Sequence, residues 1–151
     1  MGALTDDMQR VVREQRLGFV ATVCPDGSPN LSPKGTTTVW DDDHLIFADI
    51  CSPSTIANLR RNAAVEINVV DNLLRKGYRF KGRATILEGS QLEQALAFYQ
   101  GRGSSSPKQH VVLVRVEHAA PLVSPVYDQA QSEAQVGARW RRYWQELWSR
   151  S

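Results

Sequence analysis

Hydroxyl side chains and one lysine lie where strand-like and helix-like segments of the sequence meet. Ser52, Ser54 and Thr55 stand in the segment SPST before a helical pattern, and Lys34 stands upstream in the segment SPKG. The first N–H groups of a helix lack partners within the helix and lie at the positive end of its dipole, so they bind anions. A lysine beside such an end adds charge. These residues predict a phosphate site, although ordinary helix capping by Ser52 accounts for the same pattern.

A second basic segment, KGYRFKGR, has the alternation of a strand. Lys76, Tyr78 and Arg83 recur in it, together with the two glycines Gly77 and Gly82. Glycines inside a strand allow close approach of a ligand or of another backbone. The segment therefore favours either one wall of a site for a flat phosphorylated cofactor or a solvent-exposed basic face.

The elements that would position these residues are mainly strands with hairpin connections. Period-two alternation and turn residues separate them, and capping signals mark the helices. We expect strands at Leu17–Cys24, Asn30–Trp40, His44–Asp49, Ala63–Asp71, Gly77–Leu87 and His110–His118, and helices at Thr5–Gln15, Ser52–Asn62 and Gln91–Gln100, the last with a capping box from Ser90 to Glu93. This order predicts a mainly β fold, an antiparallel barrel of six strands with peripheral helices.

The C-terminal part has a different pattern. Residues 119–131 read as a loop, and a capping box from Ser132 to Gln135 begins a helix with apolar residues at helical spacing, among them Trp140 and Leu147. We therefore divide the chain into a barrel domain, residues 1–120, and a C-terminal loop and helix, residues 121–151. The aromatic residues on one side of this helix are consistent with two arrangements: packing on the barrel of the same chain, or packing on a dimer partner.

Composition narrows the classes of function. The chain has 151 residues, 42% of them hydrophobic, and a net charge of +2, which suits one globular domain and does not favour nucleic acid as a partner. The cysteines Cys24 and Cys51 lack metal-ligand spacing, and we expect no metal site. No apolar run is long enough to span a membrane and no signal peptide is evident, so we expect a cytoplasmic protein that does not associate with membranes.

The order of several segments resembles a known family. The segments FVATVCPDGSPNLSPKG, LIFAD, SPSTIANLRRNAAVEI and YRFKGRATIL together resemble the pyridoxamine 5′-phosphate oxidase-like family of FMN-binding split barrels, from Leu17 to Glu117. The resemblance implies a six-stranded split β-barrel and a homodimer with FMN in clefts at the dimer interface.

The resemblance also implies which residues bind the cofactor. By position, the flavin contacts fall on Ser32, Pro33, Lys34, Gly35, Thr36, Thr37, Ala48, Asp49, Ser54, Thr55, Asn58, Gly77, Tyr78 and Arg79. Gly77, Tyr78 and Arg79 come from the same or from the partner subunit. The chain departs from true pyridoxamine phosphate oxidases, which have a basic pair where Ser54 and Thr55 stand and an arginine- and histidine-bearing C-terminal motif. FMN binding is therefore implied more strongly than oxidation of pyridoxamine phosphate.

The expected activity is that of an FMN-dependent oxidoreductase with an unidentified substrate. No nucleophile–base pair stands out, and flavin itself carries redox chemistry, so no catalytic residue is assigned. A small molecule or NAD(P)H would be the reaction partner. The alternatives are a non-catalytic flavin-binding or storage module and a split barrel that binds haem or a deazaflavin.

Overall fold

The structure is a computed structural model, and it describes residues 2–151 of the chain. The helices are α1 (Asp6–Gln15), α2 (Pro53–Arg61), α3 (Gly89–Gly101) and α4 (Glu133–Trp148), with a 3₁₀ helix at Pro125–Gln129. The strands are β1 (Gly18–Val23), β2 (Pro29–Lys34), β3 (Thr38–Val39), β4 (His44–Asp49), β5 (Ala64–Asp71), β6 (Lys76–Ile86) and β7 (His110–Val123). None of the helices in residues 2–151 is long and apolar enough to cross a membrane.

The seven strands form one antiparallel sheet in the order β2-β1-β5-β6-β7-β4-β3. Although β2 and β4 lie near opposite ends of this order, Lys34 on β2 pairs with Asp49 on β4. The sheet must therefore curl into a half-barrel that brings its two ends together. The expectation of a mainly β, split-barrel fold is confirmed.

Alternating apolar residues of the strands fill the inside of the curl. Fully buried side chains from five strands meet there, and α1 and α2 close the ends of this core with Val12 and Ile56. The strand residues are Val20, Leu45, Phe47, Ile67, Phe80, Val112 and Val114. A second apolar cluster packs α3 on the other side of β4 and β7 through Ala95 and Tyr99.

Three predicted boundaries are wrong. The strand expected at Asn30–Trp40 is broken after Lys34 by a turn, because the N–H and the hydroxyl of Thr37 both donate to the carbonyl of Lys34. This turn makes β3 a separate seventh strand. Gly18 permits the turn to pack closely, since a Cβ atom there would lie only 2.6 Å from the Thr37 hydroxyl.

The other two errors concern element ends. β7 continues to Val123, into the predicted loop, because residues 119–123 pair with β6 beyond a bulge at Lys81/Gly82. Helix α3 begins at Gly89, with Glu88 at the cap position, so Ser90 lies inside the helix and caps nothing. The capping box of Ser132 is confirmed, with both of its hydrogen bonds present.

Candidate functional site

Lys34 is the last residue of β2 and is almost completely buried, with 5% of its surface exposed. Its Nζ atom is 3.7 Å from Oδ1 of Asp49, which is itself 1% exposed. Burial lowers the pKa of Lys34, while the carboxylate of Asp49 and the thiol of Cys51 oppose that shift. Ser32 shares the inner face with Lys34, as predicted, whereas Pro33 points outward and is exposed.

The turn after Lys34 is fixed by hydroxyl side chains. Thr36 Oγ1 donates to the carbonyl of Ala48 at 2.9 Å and accepts from its N–H at 2.8 Å. The Tyr99 hydroxyl on α3 donates to the carbonyl of Thr36. The structure thus brings together residues 32–37 and the end of β4, two of the segments that the family resemblance implies as flavin contacts.

The start of α2 has a donor that its own chain leaves unused. Ser52 stands at the cap position, but its side chain makes no capping hydrogen bond. The Thr55 side chain is 1% exposed, and its Oγ1 has no hydrogen-bond partner within residues 2–151. Ser54 is exposed, and Asn58 is buried and donates to Thr22 Oγ1 at 3.0 Å. Because buried polar groups are normally paired, the Thr55 hydroxyl is a candidate contact for a ligand at this helix start.

An open cleft of about 480 Å³ lies on the turn between β2 and β3. Its lining includes two arginines, five hydroxyl side chains and no acidic residue, namely Arg16, Gly35, Thr36, Thr37, Thr38, Tyr99, Arg102, Gly103 and Ser104. Arg102 Nη2 lies 3.5 Å from Thr38 Oγ1. Burial raises the pKa of Tyr99, which therefore stays a hydrogen-bond donor at neutral pH.

Sequence reasoning missed the residues that α1 and α3 contribute to this cleft. Arg16 ends α1 in a left-handed conformation with a φ of 53°, and Arg102 follows the end of α3. Neither lies in a recognisable motif. Only the curl of the sheet brings them to the turn at Gly35.

Gly77, Tyr78 and Arg79 lie apart from the other candidate residues. The Tyr78 hydroxyl donates to Asp7 on α1, and Arg79 Nε lies 2.8 Å from Glu66 Oε1 on β5. Gly77 packs against the backbone of the neighbouring strand β5, since a Cβ atom at position 77 would lie 2.0 Å from the carbonyl oxygen of Val69. Within residues 2–151, the side-chain hydrogen bonds and ion pairs do not join this segment to Lys34 or to the start of α2.

Residues 2–151 contain no group of three or more histidine, cysteine, aspartate or glutamate side chains placed to hold a metal ion. Cys24 is half-buried and Cys51 is exposed, and neither forms a disulfide. The candidate site presents hydroxyl, lysine, arginine and buried carboxylate groups.

Comparison with known proteins identifies the family. A family model described as pyridoxamine 5′-phosphate oxidase matches residues 4–122. The structure of HupZ from Group A Streptococcus is 36% identical with a TM-score of 0.71, and the match covers 80% of this chain and 95% of that chain. No match was found among curated proteins.

Two further structures share the fold. A proposed pyridoxamine 5′-phosphate oxidase from Lactobacillus delbrueckii is 25% identical, with a TM-score of 0.68 and coverage of 78% of this chain and 93% of that chain. An FMN-binding protein from Syntrophomonas wolfei is 15% identical, with a TM-score of 0.65 and coverage of 78% and 84%. On the family match over residues 4–122, this chain belongs to the pyridoxamine 5′-phosphate oxidase family.

Proposed function

We propose that this protein is an FMN-dependent oxidoreductase that works as a cytoplasmic homodimer. The observation that carries the proposal is the unpaired, buried hydroxyl of Thr55 at the start of α2, close in the chain to the Asp49 that pairs with Lys34. A phosphate group would supply the missing acceptor, and the start of a helix favours its charge. The FMN-binding protein among the similar structures supports the same cofactor.

The donors present fit the phosphate of FMN. Ser54 offers an exposed hydroxyl and the N–H of the first helical turn, and Thr55 offers its free hydroxyl. Ser32, Thr36, Thr37, Ala48 and Asp49 would hold the rest of the flavin. FMN, once bound, would supply hydride transfer, while the protein orients the substrate and excludes water.

The cleft beside Gly35 suits the substrate. Arg16 and Arg102 carry fixed positive charge there, and no carboxylate in the lining opposes it. They would bind and orient an anionic group of the substrate. Tyr99 holds the turn through its bond to Thr36, so the wall between cofactor and substrate would stay rigid.

The proposed dimer interface is the outer face of β1, β2 and β5. Phe19, Leu31 and Val70 are exposed on this face, and the register of the strands places Gly77 and Arg79 on its continuation over β6. Contiguous exposed apolar residues are typical of association surfaces. A partner packed there would bring its own Gly77–Arg79 segment to the cofactor, which would explain why one chain leaves this segment apart.

The test is a visible absorbance spectrum of the purified protein, followed by titration with FMN and with riboflavin. We expect FMN to bind with quenching of its fluorescence, and riboflavin to bind more weakly because it lacks the phosphate. A colourless protein that quenches neither ligand would contradict the proposal. Haem or a deazaflavin would be recognised from its own spectrum. Bound FMN that NAD(P)H and candidate substrates reduce no faster than free flavin would indicate a non-catalytic binding module.

A further inference from the structure

A continuous row of charged and titratable groups runs from the inside of the barrel to the surface of α2. Lys34 Nζ lies 3.7 Å from Asp49 Oδ1, and the other carboxylate oxygen, Oδ2, lies 3.6 Å from Nδ1 of His110 on the neighbouring strand. The opposite ring nitrogen of His110 lies 3.4 Å from Nη2 of Arg60 in the last turn of α2. Asp49 therefore stands between a lysine and a histidine, with its side chain almost fully buried.

Two polar atoms of this row lack hydrogen-bond partners among the described residues. Within residues 2–151, Asp49 Oδ1 and His110 Nδ1 both lack a hydrogen-bond partner, since the contacts to Lys34 and between Asp49 and His110 are too long. Buried carboxylates usually accept short hydrogen bonds from their neighbours. A small movement, or a change in charge at His110, would shorten the contact with Asp49.

The charges around Lys34 cancel before any ligand binds. With His110 neutral, the ammonium of Lys34 is balanced by the carboxylate of Asp49. Asp49 also precedes Ser52 by only three residues, so a bound phosphate at α2 adds roughly −1.5 to −2 charges near an existing carboxylate. Because like charges repel and the Asp49 carboxylate is buried, that excess of negative charge opposes binding.

His110 is the group that can remove this excess. Histidine changes its charge between pH 5 and 8, and His110 contacts the carboxylate through Nδ1. The groups that face the row from the packed elements are Asp49 on β4, Lys34 on β2, Arg60 on α2 and the exposed thiol of Cys51. Arg60 opposes a charged His110, but it is exposed to solvent, which screens its charge, whereas Asp49 is buried.

We propose that His110 is a positioning residue for the phosphate site: it takes up a proton when a phosphate binds at α2, pairs with Asp49, and so leaves Lys34 free to attract the phosphate. This inference rests on the proposed function, because it takes FMN as the phosphorylated ligand. It assigns His110 a role through Asp49 and without contact with the cofactor. Discrimination between FMN and riboflavin then increases as the pH falls.

The test measures the dissociation constants of FMN and riboflavin at pH 8.0 and pH 6.0 for the wild-type protein, His110→Asn and His110→Leu. For the wild type we expect the preference for FMN over riboflavin to grow by about fivefold at the lower pH, a typical coupling between two sites. His110→Asn keeps an N–H group for Asp49 but cannot gain charge, so its preference lacks the fivefold gain of the wild type. Only the change caused by titration of the FMN phosphate itself, whose second pKa is about 6, remains. His110→Leu lacks the N–H as well and loses preference for FMN at both pH values.

The outcomes separate this inference from the proposed function. If His110→Asn keeps the pH dependence of the wild type, or if riboflavin shows the same dependence as FMN, the role of His110 is wrong while FMN binding stands. A wild-type protein that binds FMN at neither pH overturns the proposed function, and this inference with it. A second readout is the NMR titration of the His110 ring, which should shift to higher pH when FMN is added and not when riboflavin is added.

Discussion

Lys34 on β2 and Asp49 on β4 form a buried ion pair that links the two ends of the curled sheet, with Nζ and Oδ1 3.7 Å apart. Both side chains are almost fully removed from water. Desolvation of two charges costs free energy, and their attraction offsets that cost only while both are present. The pair therefore connects the stability of the barrel with the charge of the candidate site.

Replacement of Asp49 alone should destabilise the protein strongly. In Asp49→Asn the ammonium of Lys34 remains buried without its counter-charge, and we expect the free energy of unfolding to fall by about 3 kcal/mol. The measurement is urea unfolding at pH 7. The double variant Lys34→Met, Asp49→Leu removes both charges and should be more stable than Asp49→Asn. Equal losses in the single and double variants would show that the charge of Lys34 is not the cause.

Lys34 should distinguish FMN from riboflavin. In Lys34→Ala the phosphate loses a cation and meets the uncompensated carboxylate of Asp49, so we expect FMN binding to weaken by about tenfold or more, or roughly 1.4 kcal/mol. Riboflavin binding should change little. Fluorescence titration with both ligands measures the difference. If Lys34→Ala, Asp49→Asn recovers FMN binding completely, Lys34 only neutralises Asp49 and does not attract the phosphate; equal weakening of both ligands would exclude either role.

The hydroxyls at the start of α2 can be tested with a control serine from another helix. The double variant Ser54→Ala, Thr55→Ala should weaken FMN binding by about a hundredfold, since two hydrogen bonds to a charged group are lost and each contributes roughly 1.5 kcal/mol or more. Ser90→Ala should have no such effect, because Ser90 is exposed inside α3 and caps nothing. Isothermal titration with FMN and riboflavin compares the three proteins. An equal loss in Ser90→Ala, or unchanged FMN binding in the double variant, would contradict a contact between these hydroxyls and the phosphate.

The sequence was sufficient to predict the local features of this site but not its charge balance. Period-two alternation correctly placed Ser32 and Lys34 on one face, and the proline at the first position of α2 marked where the helix begins. The pairing of Lys34 with Asp49 could not be predicted, because it depends on the curl of the whole sheet. The capping pattern at Ser90 failed for a related reason: the chain enters α3 two residues earlier than predicted, at Gly89, where a φ of 57° suits glycine.

The hydrogen bond from Tyr78 to Asp7 should make part of the stability depend on pH. This bond, followed by the contact with Arg10, lowers the pKa of Asp7 below its ordinary value of 3.8. The contribution is therefore present above pH 3.8 and is lost as the pH falls through the lower pKa of the folded state. Tyr78→Phe should be less stable than the wild type at pH 7, with a gap that narrows in acid.

Urea unfolding of both proteins between pH 7 and pH 2.5 measures this gap. Tyr127→Phe is the matched control, because the Tyr127 hydroxyl donates to the carbonyl of Leu74, which does not titrate. Its loss of stability should be the same at each pH. A gap for Tyr78→Phe that is also constant would show that the Tyr78 hydroxyl does not lower the pKa of Asp7.

Helix α4 has its fully buried residue near its start and exposed apolar residues at its end, and we expect that end to serve the proposed dimer. Val136 is fully buried, and the guanidinium of Arg75 lies 3.6 Å from the centre of the Trp140 ring. Leu147 and Trp148, further along the helix, are exposed. We expect Leu147→Ala, Trp148→Ala to change the stability of the monomer by less than about 0.5 kcal/mol, as surface substitutions do, but to weaken dimerisation.

Sedimentation over a range of protein concentrations tests whether the end of α4 contributes to dimerisation. The double variant should dissociate at a higher concentration than the wild type, because large aromatic side chains dominate association energies. Val136→Ala should instead reduce the free energy of unfolding by about 2 kcal/mol, since it removes two buried methyl groups and leaves a cavity. An unchanged dissociation constant of the dimer for Leu147→Ala, Trp148→Ala would indicate that the end of α4 lies outside the proposed interface. That interface would then consist of the face of β1, β2 and β5 alone.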